Sequence, residues 1–186
     1  MALKATIHKA RLQIADMDRG IYGDHELTIA RHPSETDERM VMRVFAYALN
    51  VPPDTERGAL ELAKGLWDPD EPDLLQRDLT GQIVQWIEMG QPDDRRLSRA
   101  ASRAEQVTVY SYATSTPIWW AALKGKLLRA PKVAVWQVDP AASTALAGMV
   151  ERTLAWQVSV QDGTTWISDA TRSVELTPTL LKARDE

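Results

Sequence analysis

The sequence has no cysteine, and this absence excludes disulfide bonds, thiolate nucleophiles and thiolate metal sites together. The three histidines, His8, His25 and His32, are spaced too irregularly to form a zinc site. A Gly-x-Ser-x-Gly nucleophile motif and a Gly-x-x-x-x-Gly-Lys phosphate loop are also missing, so neither α/β-hydrolase nor P-loop chemistry is indicated. The acidic and basic side chains are what remain to be considered.

Long apolar runs are absent as well. The longest candidate, PIWWAAL before Lys124, is far shorter than the ~18 residues that a membrane span needs. The N-terminal stretch has no apolar h-region followed by a small-residue cleavage site. Instead, charged and titratable side chains are scattered through it: Lys4, His8, Lys9 and Arg11. We therefore expect a cytoplasmic protein with no signal peptide and no membrane partner.

An excess of positive charge is the third absence. The chain has 22 Lys and Arg against 26 Asp and Glu, which gives a formal net charge of −4. It lacks the overall positive field that draws proteins onto duplex nucleic acid or anionic lipid, so any contact with nucleic acid requires a local patch. The 44% hydrophobic and 26% charged content is typical of a globular protein, and the length predicts a single domain over residues 1–186.

The hydrophobic periodicity predicts the order strand, strand, helix, strand, helix, strand, helix, strand. This order is typical of an α/β domain with a mixed sheet flanked by helices. β-Hairpins are predicted at both termini, the C-terminal one around the turn at Asp162–Gly163. In the N-terminal hairpin the alternation changes phase near His8 or Lys9, as a bulge would cause. Ser34 is placed as the N-cap of the first helix, and residues 51–80 are predicted to be loop-rich.

A strand predicted from Gln82 to Met89 places a carboxylate, Glu88, at its end on a mostly apolar face. A carboxylate in such a position is paired, hydrogen-bonded or bound to a metal. Asp78 lies ten residues earlier, and a chain that folds back would bring the two carboxylates to a site suited to Mg²⁺. A straight strand would instead carry Glu88 away at ~3.3 Å per residue. The simpler alternative for both acids is an ion pair with Arg77, Arg95 or Arg96.

Several segments resemble, in order and from end to end, the bacterial YaeQ family: RHPSETDERM (31–40), DLTG (78–81), WIEMGQPDDRR (86–96), VYSYA (109–113), IWW (118–120) and QDGTTWIS (161–168). That family is similar to a divergent branch of the PD-(D/E)XK nuclease superfamily. The resemblance implies a restriction-endonuclease-like fold, a mixed sheet flanked by helices. It also implies acids that hold Mg²⁺ and a lysine that helps to orient the attacking water.

The superfamily pattern can be carried onto this sequence by position. Its acids would be Glu38, Asp78 and Glu88, of which the two strand acids Asp78 and Glu88 would hold the metal. Gly90 stands where the lysine is expected, and Gln91 could only hydrogen-bond a water. The resemblance therefore implies slow hydrolysis or none.

The helix acid has alternatives. Glu35 is the fallback for that role, and Glu38 could equally be a solvated acid paired with Arg39 or Arg43.

Two basic clusters are candidate nucleic-acid contacts. The first runs along one side of the helix after Glu88, at spacings of three and four: Arg95, Arg96, Arg99 and Arg103. It could meet phosphates, or it could be a solvated face that complements the acid-rich loop at 68–73. The second has the same two interpretations: Lys124, Lys126, Arg129 and Lys132. Trp119 and Trp120 are adjacent, so at least one should face outward or into a cleft.

Two functions follow as hypotheses. The first is a Mg²⁺-dependent, nuclease-like phosphodiesterase, with Gln91 near the water and the helix arginines on the nucleic acid. The second is a binding or regulatory module that kept the nuclease fold, lost turnover and holds nucleic acid or a protein partner. Neither requires an organic cofactor. The missing lysine and the acidic net charge favour the second.

Overall fold

The computed structural model describes residues 4–185. The chain forms two compact units, each built on its own β-sheet. Unit 1 comprises the described residues up to Pro53 together with Ala141–Thr177, and unit 2 comprises Asp54–Pro140 together with the described residues from Pro178 onward. The prediction of a single domain over residues 1–186 stays a prediction.

Unit 1 contains a five-stranded mixed sheet in the order β10-β9-β8-β1-β2. Its strands are β1 (Thr6–Asp16), β2 (Ile21–Arg31), β8 (Thr153–Gln161), β9 (Thr164–Ser168) and β10 (Ser173–Leu176). The N-terminal and C-terminal hairpins join because β1 pairs with β8 in parallel, with Leu12 opposite Trp156. One face carries the core, since Leu12, Trp156 and Ile167 are almost fully buried, as strict alternation requires.

The first strand has no bulge, so that prediction is wrong. The β1–β2 register runs without a shift from Thr6 opposite Arg31 to Asp16 opposite Ile21. The apparent change of phase came from counting Ile7 as a core residue, whereas it is 41% exposed. A single apolar residue on a solvated face is common and carries no register information.

Two helices complete unit 1, α1 (Asp37–Asn50) and α4 (Pro140–Ala147), the latter starting at the unit boundary. The N-cap of α1 is Thr36, whose hydroxyl accepts the Arg39 amide at 3.1 Å. The prediction of Ser34 as the N-cap is therefore wrong: its hydroxyl instead lies 2.6 Å from Nδ1 of His32 in the preceding turn. Helix α1 is nearly all buried from Met40 to Ala48.

Unit 2 contains a six-stranded mixed sheet in the order β11-β7-β6-β5-β4-β3. Its strands are β3 (Leu60–Leu62), β4 (Leu74–Arg77), β5 (Ile83–Met89), β6 (Ala104–Ser111), β7 (Val133–Gln137) and β11 (Thr179–Lys182). The three central strands β5, β6 and β7 are parallel and are connected by α2 (Asp94–Arg103) and α3 (Thr116–Leu123), which pack on the core with Trp86, Leu97 and Val109. Strands β3 and β4 lie in the region predicted to be loop-rich.

The register of β4 and β5 decides which acids can meet. The pair is antiparallel, with Leu74 opposite Ile87 and Gln76 opposite Gln85. The residue before β4 therefore lies beside the carboxyl end of β5, and the residue after β4 lies beside its start. In open α/β sheets the carboxyl ends of parallel strands are where ligands bind.

The predicted fold class is confirmed as α/β with mixed sheets flanked by helices, four of which are α-helices within residues 4–185. The difference from the expectation is the number of sheets, because the two hairpins pair with each other rather than with the central strands. Across residues 4–185, none of the helices combines the length and the hydrophobicity that a bilayer crossing demands.

Candidate functional site

Asp78 closes the turn between β4 and β5. Its Oδ1 accepts the amides of Thr80 and Gln82 at 2.9 and 3.0 Å, and the Thr80 hydroxyl at 2.6 Å. The Thr80 hydroxyl bond lowers the pKa of Asp78 below its usual 3.8, and the amide bonds and Arg57 lower it further. These are the contacts of an Asx-type turn, in which an aspartate organises the backbone that follows it.

Glu88 lies at the other end of the same strand pair. Arg77, the neighbour of Asp78, pairs with Ile83, and five further residues of extended strand separate Ile83 from Glu88, which is about 16 Å at ~3.3 Å per residue. The structure thus does not bring the Asp78 and Glu88 carboxylates together. Of the two alternatives that the sequence left open, the straight strand is the one observed.

Glu88 is buried, with 4% of its surface exposed, and is paired with an arginine. Its Oε1 accepts the indole N–H of Trp86 and Nε of Arg96, both at 2.7 Å. Burial raises the pKa of Glu88 above its usual 4.5; the Trp86 bond and Arg96 lower that pKa, and Asp73 adds to the rise. The predicted alternative of an arginine ion pair is thus what the structure shows for Glu88.

The acid that does approach Glu88 is Asp73, which sequence reasoning missed. Asp73 is 1% exposed, its Oδ2 accepts the amide of Met89 at 2.8 Å, and its own amide donates to the carbonyl of Ile87. A signal was available, because reading DLTG as a hairpin turn places the partner of Glu88 about five residues before Asp78.

The arginine cluster of α2 mainly binds the neighbouring acid-rich loop. Arg96 donates to the carbonyls of Pro69 and Glu71 as well as to Glu88. Arg99 lies 3.1 Å from a carboxylate oxygen of Asp70. Of the two interpretations of this cluster, these contacts agree with the one in which the arginines complement the acid-rich loop at 68–73.

Arg103 contacts the core as well as the acid-rich loop at 68–73, and Arg95 makes no polar contact with that loop. Arg103 donates to the Asp70 carbonyl at 3.3 Å and also stacks over the ring of Trp86, 5.2 Å from its centroid. The Arg95 side chain is exposed and makes no hydrogen bond or ion pair within residues 4–185. Arg95 is therefore free to meet a ligand.

A cavity of about 410 Å³ lies beside α2, next to the side that carries Arg95 and Arg99. Its polar and charged lining residues are Asp94, Ser98, Ser102, Lys126, Arg129 and Lys132. Lys126 is 3.4 Å from Asp94, and Lys132 donates to the carbonyls of Ala101 and Ala104 at the end of α2. The lining of this cavity thus carries three cationic side chains and one acid, Asp94.

The two candidate helix acids belong to unit 1. The Oε2 of Glu38 lies 3.3 Å from the Thr144 hydroxyl. Glu35 is 3% exposed and accepts two bonds of 2.7 Å from Arg43 and one of 3.1 Å from Arg39. Glu35 is therefore already neutralised inside its own unit, whereas the role of Glu38 stays a prediction.

Gln91 is exposed beyond the end of β5. Its amide nitrogen donates to the Ser115 hydroxyl at 2.8 Å. Its predicted place near an attacking water stays a prediction.

The fit of Mg²⁺ to these acids depends on the pair chosen. In the part of the chain that the structure describes, no group of three or more Asp, Glu or His side chains is arranged to hold a metal ion. Asp78 and Glu88 do not fit one ion, because they stand at opposite ends of a strand. Asp73 and Glu88 fit better, since Mg²⁺ is often held by one or two carboxylates with waters and phosphate oxygens.

The comparison with known proteins agrees with the resemblance noted in the sequence. The model of the YaeQ protein family matches residues 1–178. The chain belongs to the YaeQ family. The uncharacterized protein YaeQ of Salmonella typhi is 39% identical and that of Escherichia coli K12 is 38% identical, each over 177 residues that make up 95% of this chain and 95% of the relative.

Solved YaeQ structures share the fold. The crystal structure of the YaeQ protein from Xanthomonas axonopodis pv. citri superposes with a TM-score of 0.91 at 40% identity, covering 96% of this chain and 99% of that chain. The YaeQ protein from Pseudomonas syringae gives 0.90 at 33% identity, with 97% of both chains covered. These matches establish the family and its fold.

Arg96 should matter far more to stability than its neighbour Arg95. Changing Arg96→Ala leaves the buried Glu88 carboxylate without its cation, which should lower the free energy of unfolding by about 3 kcal/mol. Arg95→Ala is the matched control and should change it by less than about 0.5 kcal/mol, because an exposed side chain without partners is removed. Urea denaturation of both variants measures the difference, and equal values would contradict the role assigned to Arg96.

Glu88 should give unfolding a distinctive pH dependence. The pKa of Glu88 in the folded protein lies above its usual 4.5, so the folded state binds the Glu88 proton more tightly than the unfolded state does. The free energy of unfolding therefore falls as the pH rises from 4.5 through the folded-state pKa. Wild type should therefore lose stability relative to Glu88→Gln over that window. Glu105→Gln is a control of opposite sign, because bonding to Arg57 lowers the pKa of Glu105. Identical pH profiles for Glu88→Gln and wild type would contradict the expectation.

Proposed function

We propose that this YaeQ-family protein is a nucleic-acid-binding module without hydrolytic turnover. The proposed contact surface, the phosphate face, is the exposed side of α2 with the adjoining basic cavity. Its residues are Arg95, Ser98, Arg99, Ser102, Arg103, Lys126, Arg129 and Lys132.

The single observation behind the proposal is the concentration of cations around a concave surface. Ser98 and Ser102 line the cavity, and Arg95 is three residues before Ser98, so the arginine side and the cavity side of α2 adjoin. Arg95 and Arg129 are exposed and have no partners within residues 4–185. Phosphates are bound by such side chains, and a local patch of this kind is what a chain with a net charge of −4 requires.

Arg99 and Arg103 would contribute by exchanging partners. Both contact Asp70, and the Arg99–Asp70 ion pair is largely exposed, with 62% and 72% of the two side chains accessible. Exposed ion pairs of this kind contribute little to stability. A phosphate can therefore displace Asp70 at low cost. Arg96 is different, since its bonds hold the loop and Glu88 together.

The lack of turnover is inferred from the acids. Asp78 organises a turn, Glu88 is bound by Arg96 and Trp86, and the two stand apart. Gly90 supplies no side chain where the superfamily lysine is expected. A phosphodiester would then meet neither a prepared metal site nor a positioned base.

Charge reversal on the phosphate face should weaken binding to DNA. The double change Arg95→Glu with Arg129→Glu removes two expected phosphate contacts, so affinity should fall about tenfold or more and the slope of log K against log salt should drop by about 2. Fluorescence anisotropy with labelled single-stranded and duplex DNA measures both.

The matched control is Lys9→Glu with Arg11→Glu, which makes the same change in net charge on exposed side chains of unit 1. Asp70→Asn should strengthen binding, because it frees Arg99. Equal losses in the two double variants, or no salt-dependent binding by wild type, would overturn the proposal.

A second candidate function is a Mg²⁺-dependent phosphodiesterase, and the observation that favours it is the Asp73–Glu88 pair. Two buried carboxylates approach each other at the carboxyl end of a central parallel strand. Asp73 and Glu88 would hold the ion, which would polarise a phosphodiester and help to ionise a water. Asp73 would then take the role that the resemblance gave to Asp78. Glu88 would have to turn an oxygen that Arg96 does not use toward the ion.

A hydrolysis assay separates the two functions. Purified protein is incubated with Mg²⁺ or Mn²⁺ and single- and double-stranded DNA and RNA, beside Asp73→Asn, Glu88→Gln and Asp78→Asn. We expect no cleavage by wild type above the level of Asp73→Asn. Cleavage that is lost in Asp73→Asn and Glu88→Gln but kept in Asp78→Asn would select the phosphodiesterase instead.

A further inference from the structure

An exposed apolar ridge runs along α3 and the short 3-10 helix at Lys124–Leu127 that follows it. Its residues, here called the α3 ridge, are Ile118, Ala121, Ala122, Gly125 and Leu128, all exposed. Ile118 is 77% and Leu128 80% exposed. Single exposed apolar side chains are common, whereas several that lie side by side form a patch of the kind that marks binding surfaces.

The ridge is held in place by its opposite side. Leu123 and Leu127 are buried in the core of unit 2, and Trp119 and Trp120 pack against that core. The indole N–H of Trp119 also donates to the carbonyl of Pro92 at 3.1 Å. The exposure of Ile118 and Leu128 is thus a property of a fixed surface.

The chain segment that carries the ridge has charges of one sign. Residues 106–138 contain four of the 22 basic side chains and none of the 26 acidic ones. Lys124 is exposed on the ridge itself and has no partner within residues 4–185. A complementary partner would offer apolar side chains to Ile118 and Leu128 and a carboxylate to Lys124.

We propose that the α3 ridge binds an acidic amphipathic helix of a protein partner. The exposed apolar positions recur at spacings of three and four, which is the pattern that one helix presents to another. Exposed Ala and Gly between Ile118 and Leu128 let a partner backbone come close. Acids flanking the partner's apolar stripe would pair with Lys124, which gives charge complementarity.

Two other occupants fit the ridge less well. Unpaired nucleic acid binds by stacking bases on aromatic rings, whereas the ridge is aliphatic and the rings of Trp119 and Trp120 are half-buried against the core. An anionic membrane would meet a molecule whose net charge of −4 lacks the positive field that draws proteins onto such a surface. The protein helix is the occupant that the surface favours.

The test uses the full chain and a labelled synthetic peptide of about 18 residues, or about five helical turns, with Leu at helical spacing and Glu on both sides of the stripe. Fluorescence anisotropy should show saturable binding that Leu128→Ser and Ile118→Ser each weaken about tenfold. Leu79→Ser is the matched control: Leu79 is 95% exposed but lies in the β4–β5 turn, so binding should be unchanged.

Several results would overturn the proposal. These are no binding of the peptide, equal binding of a scrambled peptide of the same composition, and equal weakening in Leu79→Ser. The proposal would also be overturned if Leu128→Ser lost affinity for single-stranded DNA or for phosphatidylglycerol vesicles but kept its affinity for the peptide. The outcome is independent of the nucleic-acid proposal, which is tested by charge reversal at Arg95 and Arg129.

Discussion

The contact between Glu88 and Arg96 is the interaction on which the candidate site of unit 2 depends. An ionised carboxylate in a nearly closed environment is costly unless a cation and hydrogen bonds accompany it. Arg96 meets that requirement from the first turns of α2, and its remaining donors bind the carbonyls of Pro69 and Glu71. A single guanidinium thereby joins the end of β5, the start of α2 and the acid-rich loop.

That one contact also shapes what the surface can bind. Arg96 is already bonded to Glu88 and to the acid-rich loop. The cations available to a ligand are therefore those on the exposed side of α2 and in the basic cavity. The acid-rich loop partly covers this surface through Asp70, an exposed contact that a stronger anion could replace. The α3 ridge offers apolar side chains instead, so unit 2 presents two surfaces of different chemistry.

The YaeQ family membership and the fold class could be predicted from the sequence to a large extent. Alternating and helical periodicities located most strands and helices, and the motifs between residues 31 and 168 identified the family. The short strands β3 and β4 were not predicted, because strands of three or four residues show too little alternation to be distinguished from a loop. The sequence also did not predict that the two terminal hairpins form one sheet, because β1 and β8, which pair, are distant in sequence.

At the candidate site, some features follow from the sequence and others are decided by the tertiary structure. The sequence by itself determined that Glu88 would need a partner, since its strand is apolar and a buried carboxylate cannot stand alone. It also determined that the arginines of α2 would share one side of a helix. Only the tertiary structure decided that the partner is Arg96 and that the neighbouring acid is Asp73 rather than Asp78. The reason is physical: register fixes which residues of two strands lie opposite each other, and it is set by the turn and by packing rather than by any single residue.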